Sequence, residues 1–189
     1  MYEVREFETR SEMVLECIPK NGIAAEVGVC KGRSAREHFM VATPRKFHLC
    51  DIWHSRPENA ELNHDDPDLW YDDHEELVRK SFSREIESGQ IEIHKSYGGD
   101  FLHTLPDNYL DWVYLDSDHS YEAVHIEMTI ALNKVKLGGF IMVDDFVTLP
   151  RVWKAGPIRA VLEKCNERLI EIKAITIGRF PTILTQRVQ

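Results

Sequence analysis

No stretch of this sequence approaches the roughly 18 consecutive apolar residues of a membrane-spanning helix, so a membrane partner is not expected. Cysteine is scarce. Cys17, Cys30, Cys50 and Cys165 are widely spaced and form no Cys-x-x-Cys pair, which argues against zinc clusters and thioredoxin-like redox chemistry. Two of them fall in apolar runs, where cysteine usually serves as a small buried hydrophobe. Positive charge is in deficit too: 23 Lys and Arg against 32 Asp and Glu give a net charge of −9. A nucleic-acid backbone or an anionic membrane surface is a poor partner for such a chain. The opening residues MYEVREFETR are too polar for a signal peptide, so a cytoplasmic, reduced setting is expected. Repeats and low-complexity tracts are missing as well.

What is present is a chain of 189 residues with 43% hydrophobic content, enough for one sizeable core and a single domain over 1–189. Short apolar runs alternate with helical stretches. Ile23–Val29, Lys46–Ile52, Ile91–Lys95, Leu110–Asp116 and Gly139–Asp144 read as strands. Most are nearly continuous apolar runs, as in a parallel sheet covered on both faces. Helices are expected over Ser11–Ile18, Ser34–Val41, Asp73–Ser88, Tyr121–Val135 and Ile158–Arg168. The clearest is Tyr121–Val135, with Val124, Met128, Ala131, Leu132 and Val135 on one face. Gly138-Gly139 is expected to end that helix and open the next strand. Leu169–Ile177 and Phe180–Thr185 flank Gly178-Arg179, which suggests a tight antiparallel hairpin, with Pro181 placing the last strand at an edge or marking its start. The expectation is a Rossmann-like, doubly wound α/β fold with a mostly parallel, seven-stranded sheet and a C-terminal antiparallel hairpin. Ligand should lie beyond the carboxyl ends of the strands. Residues 53–72 form the longest loop, a candidate lid.

The first strand runs into Glu26-Val27-Gly28-Val29-Cys30-Lys31-Gly32-Arg33-Ser34. Gly28 and Gly32 let the backbone turn sharply and approach a ligand, and the helix starting near Ser34 points its amides at that ligand. Arg33 stands where a dinucleotide fingerprint needs its third glycine, so a nicotinamide cofactor fits poorly. Asp51 ends the second strand, where an acid can accept hydrogen bonds from two ribose hydroxyls; a solvated strand-end carboxylate is the alternative. Ser96, after the third strand, is placed either to meet an adenine edge or as a turn residue.

Two more strand ends carry Asp116-Ser117-Asp118-His119-Ser120-Tyr121 and Asp144-Asp145-Phe146. Successive parallel strands bring Asp116 and Asp144 to one rim, with Asp145 or Asp118 alongside. Carboxylates so gathered repel one another unless protons, arginines or a cation compensate. Oxygen ligands of this kind suit Mg²⁺ or a similar ion. His119, three residues after Asp116, is a candidate base.

AEVGVCKGRSA resembles the first motif of class I S-adenosylmethionine-dependent methyltransferases, in the Glu-Val-Gly-Val-x-x-Gly-x-Ser form of metal-dependent O-methyltransferases. DWVYLDSDHSYEAV with GGFIMVDDF is similar to the metal-dependent enzymes that methylate sugars of natural products and, more distantly, to catechol and caffeoyl-CoA O-methyltransferases. The likeness runs from about Ile23 to Phe146. It implies S-adenosyl-L-methionine bound by Glu26, Gly28, Gly32 and Asp51, with Ser34, Ser96 and Asp116 as further candidate cofactor-binding residues. It also implies Mg²⁺ held by Asp116, Asp144 and Asp145, and His119 as general base. In that family the glutamate contacts the methionyl end of the donor or orders the loop. Catechol-type enzymes carry Asp-Asn where this chain has Asp144-Asp145, which moves the expected acceptor toward a sugar or other aliphatic hydroxyl.

Several other residues invite a role. His54, His64 and His74 with Asp65, Asp66, Asp72 and Asp73 suggest a second metal site but lack ligand spacing, and read better as a solvated lid. Trp53 would cover an adenine or simply pack; Trp70 and Tyr71 would line an acceptor pocket; Trp112 reads as core. Arg151 and Lys154 would meet an anionic acceptor or only solvent. The expected partner is a small-molecule acceptor, with a homo-oligomer open. The competing functions are a nicotinamide-dependent oxidoreductase, disfavoured by the lack of a Tyr-x-x-x-Lys pair, and a non-catalytic cofactor-binding domain.

Overall fold

The computed structural model describes residues 4–53, 73–147 and 155–189. Along the chain lie β1 (Arg5–Phe7), α1 (Arg10–Cys17), β2 (Ile23–Val27), α2 (Arg33–Ala42), β3 (Lys46–Asp51), α3 (His74–Ser81) and α4 (Ser83–Glu87). They are followed by β4 (Ile91–Lys95), α5 (Gly98–Thr104), β5 (Leu110–Leu115), α6 (Tyr121–Lys134), β6 (Val135–Val143), α7 (Gly156–Asn166), β7 (Ile170–Thr176) and β8 (Ile183–Arg187). The strands form one eight-stranded sheet in the order β1-β7-β8-β6-β5-β2-β3-β4. Every neighbouring pair is parallel except β6–β8 and β7–β8.

The apolar runs are continuous because the sheet is buried on both faces. In β2, Ile23, Ala25 and Val27 join the core under α5, α6 and α7, whereas Ala24 joins the core under α1, α2 and α3. Val113 and Leu115 of β5 go with the first group, Trp112 and Tyr114 with the second. Strands with both faces covered lose the polar alternation of a half-exposed sheet. No helix of the described residues is long and apolar enough to cross a membrane.

The sheet has eight strands, not seven. The extra one, β1, is a three-residue edge strand whose Phe7 is buried. The C-terminal hairpin is present, but β7 and β8 are joined by residues 177–182 rather than by a two-residue turn. Ile177 donates its amide to Phe7 O, which draws it toward β1, and the loop closes lower down through Thr176 N to Thr182 O. Pro181 precedes β8, which lies inside the sheet between β6 and β7, not at an edge.

Gly138-Gly139 does not cap α6. The helix ends at Lys134 and β6 begins at once with Val135, the glycines falling within a register shift against β5. The helix expected over 73–88 breaks at Phe82, whose ring turns into the core. Helix α5 was hidden behind Gly98-Gly99; burial of Phe101 and Leu102 outweighs the weak propensity of the two glycines.

Candidate active site at the switch between β2 and β5

The chain runs outward from β2 to β3 to β4, then returns to β5 on the other side of β2. That reversal is the switch point where open α/β sheets bind ligands. Gly28 and Asp116 stand there. Asp116 N donates to Val27 O at 2.8 Å, and a Cβ built on Gly28 would lie 2.0 Å from Asp116 O. Gly28, at φ +90°, is therefore the residue that lets the two strand ends meet.

Three features shape the loop that follows. Asp51, at the end of β3, accepts the amides of Val29 and Cys30 at 2.8 Å on one oxygen and that of Trp53 at 2.9 Å on the other. Gly32 caps α2 with no side-chain partner, so the first amides of α2 have no side-chain cap. Glu26 is fully buried, accepting Ser34 Oγ–H at 2.7 Å and paired with His38 Nδ1 at 2.8 Å. Of the two roles expected for Glu26, this burial favours ordering the loop. Ser96 N donates to Asp51 O, which ties the ends of β3 and β4 together, and the next residue, Tyr97, presents a ring 62% exposed.

The second half of the site is the rim of β5 and β6. Leu115 and Val143 are in register, so Asp116 and Asp144 emerge side by side, as the topology expectation required. An arginine compensates their charge. Thr9 and Glu12 form a reciprocal capping box at the start of α1, which fixes the first turn where Arg10 sits. Arg10 Nη2 donates to both oxygens of Asp144 at 3.1 and 3.0 Å, and its Nε donates to Thr182 Oγ1 at 3.0 Å. Thr182 Oγ1 also bonds Asp144. The guanidinium lies 4.8 Å from the centre of the Tyr114 ring, and Tyr114 O–H donates to Asp116 at 3.1 Å. His119 Nε2 lies 3.3 Å from Asp145 Oδ2 and 3.9 Å from Asp116 Oδ1.

Burial, then the Asp144 charge, push the Asp116 carboxyl well above the usual aspartate range, against the pull of Arg10. Burial also raises Asp145, while His119 draws it down. Removing the arginine leaves a buried carboxylate without its partner, a change that costs about 3–5 kcal/mol. Arg10→Ala is therefore expected to lower Tm by about 6–20 °C, measured by calorimetry.

A further carboxyl lies behind the rim. Glu127 of α6 is 6% exposed and accepts Ser117 Oγ–H at 2.7 and 2.9 Å. Burial pushes it up to about 7. The folded chain thus holds this proton more tightly than the unfolded chain does. Stability from this group is complete near pH 4.5 and falls as pH rises through 7, by about 3 kcal/mol. Glu127→Gln, which keeps an acceptor for Ser117, is expected to melt higher than the parent at pH 8 and level with it at pH 4.5. Thermal melts at the two pH values check this.

Trp53 is 7% exposed and its indole N–H bonds Cys30 O, so it packs the loop. Trp112 is core as expected. His74 is buried at the start of α3, 3.8 Å from Cys30 Sγ, and not part of a solvated surface. His54, His64, Asp65, Asp66, Trp70, Tyr71, Asp72, Arg151 and Lys154 lie outside the described residues.

The carboxylates Asp116, Asp144 and Asp145 are the right ligand type for a hard divalent cation. Their arrangement does not fit one as it stands. Both oxygens of Asp144 accept from Arg10, whose guanidinium already supplies a compensating positive charge. Among the described residues, the group of three ligand atoms within 4.8 Å of one another is elsewhere, at His48, Glu92 and His94.

Sequence reasoning did not find Arg10 or Thr182, which reach the rim from α1 and from the loop before β8. Nothing in their local sequence marks them. Glu127 and His38 did leave a signal: each interrupts the apolar stripe of its helix.

Comparison with known proteins agrees with this geometry. Residues 25–146 match the family of the methyltransferase domain. A candidate methyltransferase from Streptococcus mutans, in complex with SAH, superposes with a TM-score of 0.64 at 8% identity over 94% of this chain and 95% of its own. An rRNA methylase from Streptococcus thermophilus gives 0.63 at 9% identity over 95% and 94%. Spermidine synthase from Thermotoga maritima gives 0.59 at 12% identity over 96% of this chain and 58% of its own. At such identities the likeness is one of fold. A comparison with curated protein sequences finds no match. With the family match covering most of the sheet and both strand-end constellations, the chain belongs to the methyltransferase-domain family and has the class I S-adenosylmethionine-dependent methyltransferase fold.

Proposed function

We propose that the chain transfers a methyl group from S-adenosyl-L-methionine to a hydroxyl oxygen of a small-molecule acceptor, a sugar being the favoured class, with His119 as general base. The observation that carries the reading is the contact of Gly28 with Asp116, which sets the expected donor loop against the rim bearing His119. When bound, S-adenosylmethionine supplies a sulfonium methyl whose C–S bond breaks as the C–O bond to the acceptor forms.

The chain's own groups supply alignment and proton removal. The uncapped start of α2 and the Gly28–Gly32 turn hold the donor's methionyl side, while Asp51, Ser96 and the exposed Tyr97 ring form the nucleoside wall. Alignment of this kind contributes about 7–11 kcal/mol in favourable intramolecular systems. His119 Nε2 takes the acceptor's proton, and Asp145, 3.3 Å away, stabilises the resulting imidazolium. Asp144 and Arg10 keep the rim electrically balanced. No step is assigned to Mg²⁺, because Arg10 would have to leave Asp144 to admit it.

Isothermal calorimetry on the purified chain tests the reading. S-adenosylhomocysteine should bind stoichiometrically and NAD should not, and Asp51→Ala should weaken the former. Methyl transfer to a panel of sugars, assayed with Mg²⁺ and with chelator, then tests the acceptor and the ion. Binding of NAD alone, or of neither ligand, sinks the proposal.

A further inference from the structure

Away from the switch point, at the outer edge of the sheet, β3 and β4 bring two imidazoles and a carboxylate together. His48 pairs in register with Glu92, and His94 is two residues further along β4, so all three side chains stand on the same face. His48 Nδ1 is 3.1 Å from His94 Nε2 and 3.4 Å from Glu92 Oε2, and the last two atoms are 3.8 Å apart. A zinc ion with ligands at its usual 2.0–2.1 Å in tetrahedral geometry separates them by about 3.4 Å. The three observed separations bracket that figure. We propose that His48, Glu92 and His94 form a zinc site that clips the edge strand β4 to β3.

The surroundings suit this use. A ligating histidine is normally oriented by a partner on its other nitrogen. His48 Nε2 lies 3.3 Å from Tyr109 O–H, which leaves Nδ1 aimed at Glu92 and His94. The second oxygen of Glu92 is held by Lys46, whose ammonium is anchored in turn on Gly89 O at 2.7 Å. Oε2 is thereby left for the ion. The His94 ring packs on Phe101 at 4.4 Å between centroids, which fixes its orientation from the α5 side. Burial disfavours the charged form of both imidazoles, His48 the more so. His48 is buried while Glu92 is half-exposed, so the ion would enter from solvent and keep a water as fourth ligand. In sequence the signal is His-x-Cys on one strand and Glu-x-His on the next. Cys50 has the same facing as His48, but its thiol donates to Ser96 O and is pushed up to about 12 by burial.

The bland alternative is a neutral His–His hydrogen bond beside a surface ion pair. Equilibrium dialysis of the full chain against Zn²⁺, with Co²⁺ as a spectroscopic substitute, separates the two. One equivalent should bind, and Co²⁺ should show the intense visible bands of a four-coordinate site. His94→Ala and Glu92→Gln, both at partly exposed positions, should each lose the bands and weaken binding at least ~100-fold, whereas Tyr109→Phe should weaken it about 10–100-fold. Zinc at a hundredfold excess over Kd should raise the parent's Tm by about 5–10 °C and leave that of His94→Ala unmoved. Asp145→Asn serves as control and should keep the bands. Failure to bind, or binding that survives His94→Ala and vanishes in Asp145→Asn, overturns the proposal.

Discussion

Replacing His119 by alanine is expected to lower kcat by about 10²–10⁴-fold, the usual worth of a positioned base, while the affinity for S-adenosylhomocysteine stays within twofold. His119 follows β5 at the rim, and its Nε2 lies 3.9 Å from Asp116 Oδ1 and 3.3 Å from Asp145 Oδ2. The proton of an aliphatic hydroxyl must go somewhere as the new C–O bond forms. The His119 imidazole is placed to take it, with the Asp145 carboxylate 3.3 Å away as the partner of the resulting cation. Two readouts separate a base from a merely structural histidine. In the variant, the acid limb of the pH–rate profile should disappear. The second is donor affinity, which a structural loss at the rim would lower and the loss of a base alone leaves unchanged. A variant that turns over normally, or one that loses donor binding in step with turnover, would remove His119 from the mechanism.

What could be read from the sequence was governed by how local the physical signal is. β4 was placed at Ile91–Lys95 with both ends right, because the alternation Ile91-Glu92-Ile93 between the turn residues Gly89 and Ser96 is a local signal. Asp116 and Asp144 were placed on one rim because parallel strands send their carboxyl ends the same way. α5 was missed because its stability comes from Phe101 and Leu102 packing on elements far along the chain, against the propensity of Gly98-Gly99. β1 was missed because three residues carry no periodicity. The compensation at the rim was foreseen in kind: arginine, proton or cation. Its source was not, since Arg10 is 134 residues from Asp144. Asp51 was expected at a ribose, and the structure adds three backbone amides to its partners, two from the loop after β2 and one from the residue two along from itself. The His48–Glu92–His94 group went unread because only the register of β3 against β4 puts it on one face.

The largest loss of stability is expected from Gly28→Ala, out of proportion to one methyl group. Gly28 has φ +90°, where any other residue is strained by about 1–3 kcal/mol. The added carbon would also lie 2.0 Å from the Asp116 carbonyl oxygen, 2.4 Å from its carbon and 2.7 Å from Ser117 N. All three are backbone atoms of β5's end, and no rotamer change moves them. Relief requires β2 and β5 to part at their carboxyl ends, which breaks the 2.8 Å bond from Asp116 N to Val27 O. The combined cost should exceed ~4 kcal/mol, in the exceptional tail of single substitutions. Gly32→Ala is the matched control. It too has positive φ, at +77°, but its Cβ would meet Val78 Cγ2 at 3.1 Å, the tip of a side chain that can yield. That variant should fold, its left-handed strain of about 1–2 kcal/mol lowering Tm by about 2–8 °C. Gly28→Ala should melt at least ~10 °C below the parent or fail to accumulate as folded chain, and any folded fraction should not bind S-adenosylhomocysteine. A Gly28→Ala protein that melts beside the Gly32→Ala control would mean the two strand ends are not in contact, and the donor loop and the base would then belong to separate places on the molecule.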